Sequence, residues 1–290
     1  MNVQLKSHVF GIVGGDRRID ALSEILKDLG FSTKPFRKDL RELFSSCDIM
    51  IFPVPVSKNK ITVFSSDPEF DITLDDVIAE SSRHSQRIIF GGLFPAGFAD
   101  ALVKNGHTVI DIFKDEGLIY KNAVATAEGA LMIAMEKTEK TVISTSFSVL
   151  GFGRIGSYLC KLIHGMGGKI TVLARSEKAL NEAKDLGYNA VDISRADNVN
   201  EIVAALDSSS VIFNTVPSVI IDRKIIEKLR TRPLYIELAS FPYGIDSQAA
   251  RELDFNIIYA PSLPGRYAPI SAAEYIYQTV SAALEEIDGS

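Results

Sequence analysis

Gly151, Gly153 and Gly156 stand in G-x-G-x-x-G spacing directly behind a short apolar run, Phe147 to Leu150, and a helical pattern follows at once. In a strand, turn and helix each glycine has its own task. Gly151 lets the chain turn without a side-chain clash, Gly153 lets backbone N–H groups approach a pyrophosphate, and Gly156 lets the helix lie close on the sheet. The loop Gly151, Phe152, Gly153, Arg154, Ile155 and Gly156 is therefore expected to cradle a dinucleotide's phosphates on the positive end of that helix. The bland alternative is a glycine-rich turn with no ligand. It accounts less well for the second strand, Lys169 to Ala174, which delivers Arg175 and Ser176 where an NAD site usually carries an acid on the ribose 2′-hydroxyl. Here the acid is missing. A guanidinium beside a hydroxyl suits a 2′-phosphate, which a carboxylate would repel, so NADP is the expected cofactor. Arg175 could instead stack on adenine in an NAD site or stand in solvent, and Ser176 could simply cap the next helix.

Other residues could do chemistry. Gly14-Gly15-Asp16-Arg17-Arg18 follows an apolar strand, His8 to Val13, but lacks a third glycine. It reads as a substrate-facing loop, with Asp16 able to cap a helix and Arg17 or Arg18 able to reach an anion; two solvated arginines are the alternative. Pro53-Val54-Pro55-Val56-Ser57 stiffens the chain beyond the carboxyl end of the strand Asp48 to Phe52, where open α/β sheets bind ligands. Asn214, Thr215, Val216 and Pro217 follow another strand, close to the expected nicotinamide end of the cofactor. Glu128 lies among alanines, either on the solvated side of a helix or as a perturbed acid.

The elements that position these residues alternate between strands and helices, which is the pattern of a doubly wound α/β fold. Two Rossmann-like domains are expected. Residues 1–121 form a substrate or catalytic domain of four or five strands, with Ile61 to Phe64 as a short extra strand. Residues 122–270 form the full dinucleotide-binding domain, led by a bridging helix, Asn122 to Thr138. Residues 261–269 read as a stiff loop, and Ser271 as the cap of a final helix, 271–290, that packs back on the first domain.

Composition limits the partners. The chain has 290 residues, 46% hydrophobic and 23% charged, with a net charge of −6, so it has no general attraction for nucleic acid or an anionic membrane. No apolar run is long enough to span a bilayer, and Met1 to Lys6 does not read as a secretory signal, so a cytoplasmic protein is expected. Cys47 and Cys160 read as buried thiols, and the four scattered histidines offer no metal-ligand spacing.

Together the motifs resemble the A-type subunit family of the bacterial dipicolinate synthases along nearly the whole chain. The resemblance is carried by Gly14-Gly15-Asp16-x-Arg18, Glu128-Gly129, Val149-Leu150-Gly151-x-Gly153-Arg154-x-Gly156, Ala174-Arg175-Ser176, Asn214-Thr215-x-Pro217-Ser218, Glu237-Leu238-Ala239-Ser240 and Leu263-Pro264-Gly265-x-x-Ala268-Pro269. Two stretches depart from it: Phe241-Pro242-Tyr243-Gly244 stands where an Arg-Pro-Gly-Gly-like run is expected, and Ala123-Val124-Ala125-Thr126 replaces a stretch with proline. Both bear on how substrate carboxylates are held. The resemblance implies NADP-dependent oxidation of dihydrodipicolinate to dipicolinate during sporulation, with the flavoprotein-like B-type subunit of dipicolinate synthase as partner; a homo-oligomer is also compatible. It implies that Gly15, Asp16, Arg18, Ser57, Ala239, Ser240 and the Pro264-Gly265 backbone meet the small dicarboxylate, that Asn214 orients nicotinamide or substrate, and that Glu128 accepts a proton. Two other readings stay open, an NADP-linked dehydrogenase or reductase of another small carboxylate and a non-catalytic nucleotide-binding protein that serves a partner. Hydroxy-acid chemistry is disfavoured, because no histidine beside an acid presents itself as a hydride partner.

Overall fold

The computed structural model describes residues 8–36, 39–195 and 198–288. In chain order these form β1 (Val9–Ile12), α1 (Arg17–Asp28), β2 (Ser32–Pro35), α2 (Leu40–Ser46), β3 (Ile49–Ile51), α3 (Leu74–Ser81), β4 (Ile88–Gly91), α4 (Phe98–Lys104), β5 (Thr108–Asp111), α5 (Glu116–Thr138), β6 (Ser146–Leu150), α6 (Arg154–Gly165), β7 (Lys169–Ala174), α7 (Glu177–Asp185), β8 (Asn189–Asp192), α8 (Val199–Asp207), β9 (Val211–Asn214), α9 (Arg223–Lys228), β10 (Leu234–Glu237), α10 (Ser247–Glu252), β11 (Ile257–Tyr259), α11 (Leu263–Tyr267) and α12 (Pro269–Asp288). The chain divides into two compact units, one running up to Asn122 and resuming at Pro264, the other spanning Ala123–Leu263. No described helix is long and apolar enough to cross a membrane.

Among the described residues the first unit carries a parallel sheet in the order β2-β1-β3-β4-β5. Successive side chains on a strand point to opposite faces, and β3 shows the consequence. Ile49 and Ile51 join a core formed with Ile19, Leu22 and Leu26 of α1 and Ala273, Ile276, Val280 and Leu284 of α12. Met50 and the following Phe52 join the opposite core, with Leu43, Phe44, Val77, Phe98 and Leu102. Both faces of β3 are covered, so it is apolar throughout.

Several sequence expectations need correction in this unit. β2 has no hydrophobic signature because it is an edge strand with three of its four residues exposed, a place that also tolerates Pro35. Residues 61–64 are not a strand: Thr62 makes one isolated antiparallel bridge with Thr73, and Phe64 N–H donates to Val56 O at 2.8 Å. α5 begins well before Asn122, at Glu116, where Leu118 N–H donates to the Asp115 carboxylate at 2.6 Å. The stiff loop after β11 contains α11, and Ser271 lies inside the first turn of α12 rather than capping it. Pro269 takes the first helical position, where its fixed φ suits the helix and its missing N–H costs no hydrogen bond.

The second unit carries a six-stranded parallel sheet in the order β11-β10-β9-β6-β7-β8, the doubly wound order expected of the glycine-loop domain. The order in which strands are added reverses between β6 and β9, so ligands are expected beyond their carboxyl ends. Both cysteines are buried, as expected, and burial pushes the Cys160 thiol up to about 12.

His107 supplies a pH test of the first unit. It is 4% exposed, its Nδ1 accepts from Arg87 N–H at 3.1 Å, and its Nε2 faces Ser81 O at 3.1 Å. That pairing places the proton on Nε2 and leaves no room for a second one. Burial, with the charges of Arg87 and His84, lowers its pKa despite the bond to Ser81. At neutral pH the imidazole is uncharged in both folded and unfolded chains. Below about 6.5 the unfolded chain takes up a proton that the folded chain resists, so this site loses stability as pH falls. His107→Phe should cost about 1–3 kcal/mol at pH 7.5, chiefly by stranding the Arg87 N–H, since Ser81 O keeps the N–H of His84. In urea unfolding, the gap between the variant and wild type should narrow by pH 5.5; an unchanged gap would refute this role.

Candidate functional site

The glycine loop folds as three close approaches. Gly151 has φ +91°, and a Cβ there would strike the Thr215 hydroxyl and come within 2.7 Å of Val216. A Cβ on Gly156 would run into the Gly151 carbonyl oxygen. At Gly153 a Cβ would meet nothing within 4 Å, so the loop opens at the point where phosphate oxygens need room. Gly153 is also the N-cap of α6 and places no capping side chain over its first turn. These residues fit a dinucleotide: the helix end offers partial positive charge, and the loop leaves space beside it. Phe152 packs edge-on to Tyr188 with ring centroids 6.4 Å apart, Ile155 is half-buried and Arg154 is exposed. Thr215 seals the other wall, donating from N–H and Oγ1 to Leu150 O at 2.9 and 2.8 Å.

Arg175 is exposed at the end of β7 and donates from Nη2 to Ser218 Oγ at 3.1 Å. The glycine loop, the Thr215–Ser218 segment and Arg175 are thus brought together on one edge of the second unit. Ser176 caps α7, accepting from Ala179 N–H at 3.5 Å, which is the structural role the sequence left open for it.

Asn214 does not face a ligand, contrary to the sequence expectation. It is fully buried, its Oδ1 accepts from Val216 N–H at 3.1 Å, and its Nδ2 donates to Val216 O at 2.9 Å and Glu237 Oε1 at 2.6 Å. With oxygen and amide hydrogens engaged, the side chain shapes the turn that carries Thr215 and Val216. Its partner Glu237, 2% exposed at the end of β10, is the residue that sequence reasoning missed as a site residue. Glu237 Oε1 also accepts from Ala239 N–H at 2.9 Å, while Oε2 accepts from Gly244 N–H at 2.9 Å and Tyr235 Oη at 3.2 Å. Burial raises its pKa against the opposing pull of these donors. The signal available was a lone carboxylate ending an otherwise apolar strand. One carboxylate therefore ties down both ends of the Ala239–Gly244 loop: Ala239 engages its N–H inside the unit, and Ser240 is exposed. Glu128 is exposed on α5, so the solvated alternative is the one observed.

In the first unit the structure gathers Gly15, Asp16, Arg18 and Gly265. Arg18 is 6% exposed and grips Asp16 with two bonds of 2.8 Å, Nε to Oδ1 and Nη2 to Oδ2; Nη2 also donates to Val54 O at 2.6 Å. Burial disfavours the Asp16 carboxylate, but the bonds and charge of Arg18 outweigh it and hold the pKa below the usual range. Gly265, within α11, packs on this pair so closely that a Cβ would lie 2.8 Å from Asp16 Oδ2 and 3.2 Å from Arg18 Nε. Gly15 has φ +109°, and its N–H donates to Phe64 O at 2.8 Å. Two expectations change as a result. The charge of Arg18 is already balanced by Asp16, so it supports the site from behind rather than supplying net positive charge. Ser57 donates to Asn59 Oδ1 at 3.2 Å and accepts from Lys60 N–H at 2.9 Å, so it braces its own loop.

Glu237→Gln isolates the role of this carboxylate. Gln replaces one acceptor with an amide donor that must face backbone N–H groups, and the variant should lose about 1–3 kcal/mol in urea unfolding. Amide exchange at Ala239 and Gly244 should accelerate selectively; wild-type protection at both would contradict the tether.

Residues 147–229 match the TrkA-N domain family. Over 95% of its own length and 95% of the relative's, the chain is 27% identical to the A-type subunit of dipicolinate synthase from Bacillus subtilis (strain 168). The crystal structure of the corresponding dipicolinate synthase subunit from Bacillus halodurans superposes with a TM-score of 0.80 at 21% identity, covering 97% of this chain and 98% of that one. A D-lactate dehydrogenase from Treponema pallidum shares the fold more distantly, with a TM-score of 0.61 at 15% identity over 97% of both chains. The resemblance read from the motifs therefore holds along nearly the whole chain, which is similar to the A-type dipicolinate synthase subunits in sequence and in fold.

Proposed function

We propose that this chain oxidises dihydrodipicolinate to pyridine-2,6-dicarboxylate with NADP, as the A-type component of a dipicolinate synthase working with a second subunit. The similarity to that component over 95% of both sequences carries the reading. The residues agree with it. The open face at Gly153 and the uncapped start of α6 receive the pyrophosphate, and Ser218 steadies the Arg175 guanidinium for a 2′-phosphate. When bound, the nicotinamide supplies the hydride acceptor. The dihydropyridine gives up a hydride and a proton and becomes aromatic, so the protein has mainly to align the ring and hold its carboxylates. The Ala239–Gly244 loop, fixed through Glu237, gives that alignment a rigid wall.

The test is to supply the isolated chain with freshly generated dihydrodipicolinate and NADP, and to follow NADPH together with pyridine absorbance. Simultaneous growth of both signals is expected. Turnover that appears only when the second subunit is added would favour a nucleotide-binding component without its own activity, and NADPH made from an ordinary hydroxy acid would favour a different dehydrogenase. Cofactor choice has a separate readout. Arg175→Asp should weaken NADP binding by about tenfold or more while sparing NAD, in keeping with a charge-assisted phosphate contact. Equal loss of both cofactors on titration would remove Arg175 from that role.

A further inference from the structure

An open sheet ends in strands whose backbone groups are unpaired on one side, and folded proteins blunt such edges with charge or proline. Most edges here follow that rule. β2 reads Ser-Thr-Lys-Pro, and β5 and β8 each end on an aspartate. β11 reads Ile-Ile-Tyr and carries neither device. Its register shows which backbone groups face out. Ala260 N–H donates to Glu237 O at 2.9 Å and Ile258 stands opposite Ile236, so Ile258 and Ala260 turn their backbone groups toward β10. Backbone direction alternates along a strand, and Ile257 and Tyr259 therefore turn theirs outward. No other described segment takes up those groups.

The ground beside this edge is concave and aromatic. Two adjoining grooves of about 380 and 440 Å³ share Arg251 and Tyr259 as their common wall. The Tyr259 ring lies 5.0 Å from that of Tyr243, which meets Phe241 edge-on at 5.8 Å, and Tyr259 Oη donates to Ser247 Oγ at 2.9 Å. The rings are held in place, yet Phe241 is 80% exposed. Fixed aromatic surface next to an unblunted edge marks ground that another chain covers. Charge identifies that chain. Arg251 and Asp254 line the same groove, both are exposed, and among the described residues no side-chain bond engages either. A surface that presents both signs side by side matches a copy of itself turned through a two-fold axis, because each cation then meets the other copy's anion.

We infer that two copies of this chain associate through β11, paired antiparallel about a two-fold axis beside Ile258, so that their six-stranded sheets join into one. Ile257 of each copy then stands opposite Tyr259 of the other, and the two residues exchange both backbone bonds. Arg251 of each copy meets Asp254 of the other, and the rings beside the edge lose water. The association goes beyond the reaction proposed above and does not depend on it.

Sedimentation equilibrium and amide exchange on the full chain test this together. At micromolar concentration a mass near twice the 31.7 kDa of one chain is expected. The Ile257 and Tyr259 amides should exchange more slowly as the protein is concentrated, whereas that of Ile258, bonded to β10, should not respond. Arg251→Glu, an exposed change that leaves the fold alone, should weaken the dimer about tenfold by setting like charge against Asp254, and added salt should soften that loss. Ile257→Pro removes an outward N–H and should give a folded monomer. A wild type that stays monomeric would overturn the inference. So would a dimer in which both amides exchange freely, or one that Arg251→Glu leaves unchanged. Protection that appears only when a second subunit is added would give this edge to that subunit and overturn self-pairing as well.

Discussion

The second unit depends on a separation between two backbones. Gly156 rests its α-carbon against the carbonyl of Gly151, so close that a single methyl group would collide. Close packing of protein interiors gives such a clash no free volume to escape into. Because the first turn of α6 is seated this way, the end of β6 and the start of α6 form one rigid corner. Thr215 then locks that corner to β9 through its two bonds to Leu150 O. The space left at Gly153 is the complement of this contact. The chain is drawn tight at Gly151 and Gly156, so the one open position between them faces outward.

A second constraint recurs in both units: a polar group taken out of water must find partners at once. Arg18 finds Asp16 and Val54 O; Glu237 finds two backbone N–H groups, Asn214 and Tyr235; Asn214 finds both polar atoms of Val216. Each of these residues stands at or just beyond the carboxyl end of a strand, where a ligand is also expected. The polar chemistry of the site therefore comes in two layers. The buried layer shapes loops, and Arg175, at the end of β7, is exposed and cationic.

This layering explains what the sequence made legible. Strand and helix order, the parallel sheets and the nucleotide loop follow from local signals, namely apolar runs, helical spacing and glycines at fixed intervals. β2 was hidden because an exposed edge strand needs no apolar pattern. Asn214 and Ser57 were misread for a different reason. A residue type capable of catalysis looks the same in sequence whether its valences face a ligand or a neighbouring backbone, and only the hydrogen-bond partners separate the two cases. Glu237 escaped for the converse reason: a carboxylate in a strand is commonplace until its surroundings are known.

Net charge sets a last constraint. A chain of net charge −6 repels anions at long range, yet the phosphates that the glycine loop fits are anions. Screening confines that repulsion to roughly 10 Å at ordinary salt, so a few well-placed cations can reverse the local sign. The Asp16–Arg18 pair shows the opposite device in the first unit, where a buried charge is balanced on the spot. A buried arginine without its aspartate would cost far more than the attraction it offered, whereas the neutral pair gives the loop a rigid base. In the second unit the division is one of geometry: the start of α6 offers the positive end of its backbone dipoles beside the open Gly153, and the Arg175 guanidinium stands exposed at the end of β7, held by Ser218.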